Sequence, residues 1–423
     1  ASLTKFAVGP LGDRFSKRPL IATGYGMAAL GKVIVALAVA WPGVLAGRVV
    51  DRLGKGIRGA PRDALLVDDV ETTDRGKVFG FHRTMDTLGA VVGPLIGLAG
   101  YELLDHQIRP LLFIAIVPAV LSVLLIFMVR EAPKPARGRV KAGKSRKKVD
   151  LGATLRELPR RFWRVTAVVV GFGLVNFPDA LLLLRLNEIG FSVVGVILAY
   201  VTYNLVYALG SYPAGLLSDR LPRSAVFGIG LMFFAIGYIG LGLTRDHLLA
   251  WALIGFYGVF AACTDGVGKA WVSSLAGAGR QATAQGVFQG ASGIAVLIAG
   301  VWAGLLWGAD GRLPLLVSGV VGACLAAALL GRWAFRSARW GAVCCGRSTS
   351  SASEPAILTT SPLRRSGRST TPPCSSPWTR ARPRAIWWRC AGRSAVGSSP
   401  NRATASSNFP TRRAPPTGTG STT

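Results

Sequence analysis

The segment "LAGRVVDRLGKGIRGAPRDALLVDD" carries Arg48, Asp51, Arg52, Lys55, Arg58, Arg62 and Asp63, yet both of its ends are apolar enough to cross a membrane. At about 100° per residue the five cations fall within roughly a 120° arc, with Asp51 inside it and Asp63 about 20° beyond one edge. A charge in a span costs about 2.5 to 3.5 kcal/mol on insertion scales, so such side chains normally face a bundle interior or a wet cavity. Lys55 and Arg58 sit near the middle of the span, too far from either surface to snorkel. Arg48, Arg52, Lys55 and Arg58 therefore read as a positively lined pathway for substrate or protons, suited to an organic anion. The competing reading is structural, with Arg48-Asp51-Arg52 and Arg62-Asp63 as ion pairs that hold helices together. For Arg62, near the end of the span, the structural role is preferred.

Further polar positions inside apolar runs are Arg83 and Asp86, Asn176, Asp179 and Arg185, and Asp265 and Lys269. Arg83 and Asp86 are three apart and can meet on one helix face. Asp179 follows Pro178 in "NFPDALLLLR", where a kink can free backbone carbonyls toward a cavity. Asp179 and Asp265 are the candidate proton carriers, since a desolvated carboxyl can hold a proton, and Lys269 joins them as a pathway residue. His82 reads as a satisfied polar neighbour of Arg83. No cluster has metal-ligand spacing, no nucleophile and base stand together, and "GRVVDRLGKG" lacks the spacing of a phosphate-binding loop. An enzyme is not expected, nor a metal or a cofactor.

These residues need elements to carry them, and composition names the kind. Half of the 423 residues are hydrophobic and 16% are charged, against about a quarter charged in soluble domains. Runs near 20–39, 43–67, 79–100, 110–129, 163–187, 191–217, 224–243, 248–275, 283–307 and 313–334 are each long enough to span as helix. Residues 1–10 read as the end of another. Arg14, Lys17 and Arg18, the basic stretch 130–164, and Arg220 with Arg223 fall on one side if every run crosses once, and the positive-inside rule makes that side the cytoplasm of a bacterial-type inner membrane. Cys263 and Cys324 lie in apolar runs and read as small buried thiols.

The segment "GPLGDRFSKR" from Gly9 has a counterpart, "GLLSDRLPRS", from Gly215, so that Asp13-Arg14 corresponds to Asp219-Arg220 at an offset of 206. The same offset carries Gly80 onto Gly286 and Gly97 onto Ala303. Two halves of one architecture follow, and a full-length first half would start about 45 residues before Ala1.

The loop pattern G-x-x-x-D-R-x-x-K/R-K/R, present as Gly9, Asp13, Arg14, Lys17 and Arg18 and degraded from Gly215, resembles that of the major facilitator superfamily. The resemblance covers about residues 5–336. It implies an all-α polytopic membrane protein with two six-helix bundles around a central cavity lined mainly by helices one, four, seven and ten, here with the first helix and most of the second missing. The exporter branches carry g-x8-G-x3-G-P-x2-G-G in helix five, and Gly80, Gly89, Gly93, Pro94 and Gly97 match it, with Leu98 in place of the last Gly. Close packing of small residues is the alternative account of that spacing. The charged segment corresponds to helix four, with Arg48 at the arginine of R-x-x-q-G-x-G, Asp51 and Arg52 departing from the pattern and Gly54 keeping it. The resemblance also suggests that one of Asp68, Asp69, Glu71 and Asp74 pairs with Arg14 to latch the cytoplasmic gate, worked by the loops at Gly9 to Arg18 and at Asp219-Arg220.

The implied organisation is a partial N-terminal bundle (1–130), a basic cytoplasmic linker (131–161), a C-terminal bundle (162–336) and a tail (337–423). The net charge of +29 is concentrated at residues 130–164, with 13 Lys/Arg against three acids, and at 340–423, with 12 Arg against Glu354 alone. Such a distribution favours anionic lipid as the linker's partner over nucleic acid. The tail, rich in Ser, Thr, Pro and Arg, cannot pack a core and reads as disordered or as translated out of frame. The function so read is secondary active transport of a small molecule by a monomer, most simply proton-coupled efflux, with an organic-anion carrier and a non-transporting receptor on the same fold as alternatives.

Overall fold

The computed structural model describes residues 2–129, 155, 156, 158–277 and 279–349, all within one compact unit, Ala1–Thr359. Among them there are helices and no strands. In chain order these are α1 (Ser2–Arg14), α2 (Lys17–Leu37), α3 (Trp41–Leu65), α4 (Arg75–Leu103), α5 (Ile108–Ile114), α6 (Ile116–Met128), α7 (Arg160–Gly173), α8 (Asp179–Ile189), α9 (Val193–Arg220), α10 (Arg223–Leu243), α11 (His247–Leu275), α12 (Gln281–Leu305) and α13 (Arg312–Thr349). Most of the basic linker and residues 350–423 of the tail lie outside the described residues. The last helix passes the expected boundary at 336 and continues to Thr349, because no Pro interrupts the Ala- and Arg-containing stretch until Pro355.

Among the described residues, seven helical segments are long and apolar enough to cross a membrane: α2, α5 with α6, and α9 to α13. The expected spans at 43–67 and 79–100 form the long helices α3 and α4 with their charges in place. The expected span at 163–187 is two helices. Its break, Leu174 to Pro178, leaves the Leu174 carbonyl to accept from Trp302 Nε1 of α12 at 2.7 Å, as a broken membrane helix requires. Cys263 is buried as expected, whereas Cys324 is exposed on α13.

The halves cross at two symmetry-related places, α1 against α12 and α9 against α4. Each crossing is close because glycine meets glycine. A Cβ on Gly9 would lie 3.4 Å from Gly286 Cα, and one on Gly215 would lie 3.1 Å from Gly80 Cα. Gly80 and Gly286 are the residues the repeat pairs at offset 206, so the internal repeat is also a repeat of contacts. The C-terminal half buries an aromatic core in which Phe172, Phe234, Tyr238 and Phe260 pack on one another. The outer half of α4 is bare by contrast, with Leu95, Ile96 and Leu98 exposed and open space beside Gly89, Gly93 and Gly97.

Candidate functional site

Between the halves lies a cavity of about 270 Å³ whose wall is built by α4, the α7–α8 break, α8, α9 and α11. Its charged residues are Arg83, Asp86, Asp179 and Asp265, and its rings are Tyr203, Tyr207, Tyr257 and Phe260. The helix period accounts for the α9 contribution, since Tyr203 and Tyr207 are one turn apart and share a face. Pro178 ends the break and starts α8 at Asp179, which sets that carboxylate at a helix N-terminus, where negative charge is favoured.

Two polar clusters divide the wall. In the first, the Arg83 guanidinium donates to Asp265 and to the Tyr207 hydroxyl, the Tyr207 hydroxyl donates to Asp265, and Arg83 Nη1 reaches Asp86 Oδ2 at 3.1 Å. The intrahelical pair Arg83–Asp86 anticipated from spacing is present, and the guanidinium also crosses to the other half, stacking 5.2 Å from the Tyr207 ring centroid. In the second cluster, Asp179 Oδ1 accepts from Tyr257 at 2.6 Å and Oδ2 from Tyr203 at 3.4 Å. Among the described residues, Asp179 makes no ion pair. Nearby, the buried Asn176 Oδ1 has no donor. Asp179 and Asp265, both singled out from the sequence, thus share one cavity. The tyrosines were not singled out; Tyr203 and Tyr207 share a helix face at i, i+4, but their run, 191–217, holds no charged residue to mark it.

The basic stripe of α3 lies elsewhere. None of Arg48, Arg52, Lys55 and Arg58 lines this cavity. The edge of α3 that meets α2 is glycine: a Cβ on Gly47 would lie 2.7 Å from Gly31 O. That packing leaves Arg48, Arg52 and Lys55 exposed. Lys55 pairs with its own Asp51 at 3.2 Å, and Arg58 stacks 4.0 Å from the Tyr25 ring centroid. Only the far end of the stripe turns inward. Asp63 is fully buried, with Lys269 Nζ at 2.7 Å, Arg62 Nε at 3.2 Å and Gln289 Nε2 at 2.9 Å. Lys269, expected on the pathway with Asp265, is therefore part of a lock between α3 and α11.

At the end of the molecule that holds the basic loops, Asp13 accepts from the amides of Ala282 and Thr283 at 2.9 and 2.8 Å, opening α12. Asp219 accepts from Gly76 and Lys77, both at 2.8 Å, opening α4. A carboxylate on free helix N–H groups is the favoured pairing of charge and dipole. Of the acidic residues expected to latch Arg14, Asp68 pairs with Lys17 and Asp74 with Lys77 at 3.0 Å. Arg14 lies over the Phe15 ring, Arg18 donates to the Phe127 carbonyl, Arg223 donates to the Thr72 carbonyl, and Arg220 is exposed. At the other end, the buried Arg185 ties three carbonyls, those of Leu241, Thr244 and Asp310, at 3.0, 3.2 and 2.9 Å.

Comparison with known proteins agrees with this architecture. An MFS-type transporter of Methanocaldococcus jannaschii is 30% identical over 321 residues, covering 74% of this chain and 78% of its own. The multidrug resistance protein MdtH of Cronobacter sakazakii is 28% identical over 334 residues, covering 74% and 77%. Among solved structures, the human organic anion transporter MFSD10 superposes with a TM-score of 0.65 at 18% identity over 78% of this chain and 81% of its own. FucP in the outward conformation does so with 0.62 at 16% over 79% and 86%. The family model of the Major Facilitator Superfamily matches residues 1–184 and 180–399, and with the paired halves, crossed helices and central cavity in place the chain belongs to that superfamily of membrane transporters.

Proposed function

We propose that the protein is a proton-coupled exporter of a small molecule, with Asp179 as the carboxylate that carries the proton. The observation that carries this reading is the setting of Asp179. It sits on the cavity wall, at a break between two half-helices, and tyrosine hydroxyls are its bonding partners. A broken helix at a central site is where secondary transporters place substrate and coupling ion. Asp265 already faces a guanidinium, so gaining a proton would cost it that pair.

The similarity to MdtH, a multidrug resistance protein, supports export, as do Gly80, Gly89, Gly93, Pro94 and Gly97. With the basic loops cytoplasmic in an inner membrane, Asp13 and Asp219 hold the cytoplasmic end closed, and the exchange proceeds by rocking one half against the other. The protein works as a monomer, with anionic lipid at its basic segments.

Inverted vesicles carrying the protein, with an acidic interior, test this. Organic ammonium compounds and organic anions are added in turn, and dissipation of the pH gradient by one of the two classes is expected in the wild type and not with Asp179→Asn. A gradient that survives every compound in correctly inserted wild type would overturn proton coupling.

A further inference from the structure

We infer that the cavity selects an organic cation: a compact protonated amine bearing an aromatic or apolar group, its ammonium on Asp179 and its apolar part against Tyr203 and Tyr257. The inference rests on the transport reading and adds the substrate class to it.

Charge makes the first argument. The wall carries three carboxylates and one guanidinium, and Arg83 is already committed to Asp265 and Asp86. Asp179 is left as an acceptor facing two neutral hydroxyls, and an uncompensated carboxylate in a low-dielectric cleft attracts positive charge.

The rings make the second. Tyr203 and Tyr257 stack with centroids 5.1 Å apart at 27°, and Phe260 lies 5.3 Å from Tyr257. Aromatic faces draw cations within about 6 Å of their centroids. The protein supplies its own precedent next door, where Arg83 stands on the Tyr207 ring and bonds to Asp265. One cation is thus already held in this wall by a tyrosine face and an aspartate, and the Tyr203–Tyr257–Asp179 cluster has the same two parts, tyrosine rings beside an aspartate. The cavity volume, about 270 Å³, lies just under the range of about 300 to 1,000 Å³ that suits drug-sized ligands, so a compact amine is the better fit.

The test is equilibrium binding to the purified full chain in lipid nanodiscs, without any gradient, using 2-phenylethylammonium, benzyltrimethylammonium and benzoate as probes. Both cations should bind at least tenfold more tightly than benzoate. Asp179→Asn should weaken the cations at least tenfold, Tyr203→Leu should weaken benzyltrimethylammonium more than Tyr203→Phe does, and Asp105→Asn, in a distant loop, should change nothing. Thermal unfolding of each variant separates lost binding from lost fold. Benzoate preferred over the cations, no probe bound by the wild type, or cation affinity unchanged in a folded Asp179→Asn would overturn the assignment. Cation binding without proton flux in vesicles would overturn only the coupling, whereas flux driven by anions would overturn only the cation.

Discussion

Asp13 and Asp219 stand 206 residues apart, and the amides they bind, Ala282 with Thr283 and Gly76 with Lys77, stand 206 apart in the opposite sense. Each half therefore uses the end of its own helix, α1 or α9, to cap a helix of the other half. The two caps are the same device applied twice across one interface. Under the transport reading proposed above, all four bonds would break for that end to open, so the pair would act as a brake on one direction of the cycle.

Removing the brake should bias the conformation. A charge at a helix N-terminus contributes about 0.3 to 1 kcal/mol, and up to about 2 in partly buried geometry. Asp13→Asn with Asp219→Asn keeps the side-chain shape and removes both charges. Spin labels at Asp69→Cys and Gly277→Cys, on opposite halves at that end, should show a longer distance gaining population in the double variant. An unchanged distance distribution would mean that the caps do not hold the end closed.

The helix-five glycines should separate into two kinds. A Cβ on Gly80 would lie 2.6 Å from Ser211 O of α9, while Gly89, Gly93 and Gly97 have nothing within 4 Å of that position. Overpacking a tight contact costs about 1 to 3 kcal/mol. Gly80→Ala should lower the unfolding temperature, and Gly93→Ala and Gly97→Ala should leave it nearly unchanged. If Gly93→Ala keeps stability but loses transport, its small side chain is needed in another state of the cycle. Equal destabilisation at Gly80 and Gly93 would contradict the packing seen at α4.

The two-half architecture was legible because it is written twice: "GPLGDRFSKR" and "GLLSDRLPRS" share an offset that the structure keeps in its caps and in its glycine crossings. The stripe on α3 was legible as a stripe, but periodicity locates residues around a helix axis without telling which neighbour the axis meets. The glycines at 47 and 54 took the packed edge, so Arg48, Arg52 and Lys55 remained on the other. Asp179 and Asp265 were found because a carboxylate in an apolar run is conspicuous. Tyr203, Tyr207 and Tyr257 were missed because tyrosine in an apolar run is ordinary, and only the meeting of α9 with α11 turns them into a wall.

The Arg83–Asp265 pair should behave as a coupled unit. It links α4 to α11 through a partly open cavity, so the cost of cutting it lies between an exposed pair and a fully buried one, about 1 to 3 kcal/mol. Arg83→Gln leaves Asp265 with Tyr207 and no cation, whereas Arg83→Gln with Asp265→Asn leaves no charge unpaired across the helices. The double variant should therefore unfold at a higher temperature than the Arg83→Gln single. Additive losses would mean the two side chains do not act on one another.

Asp63 sets a harder test, because it is fully buried and its nearest cation, Lys269, comes from the other half. Replacing Lys269 with Met leaves the carboxylate with Arg62 and Gln289 alone, so the cost falls below the about 3 to 5 kcal/mol of a buried charge left without any partner. The protein has a way to relieve that cost, which is to separate α3 from α11. Lys269→Met should therefore lower the unfolding temperature and also lengthen the Asp69–Gly277 label distance, while Asp63→Asn with Lys269→Met should recover much of both. Recovery of stability without recovery of the distance would show that the pair controls the conformational balance through its geometry. Recovery of neither would place the role of Lys269 outside the pair.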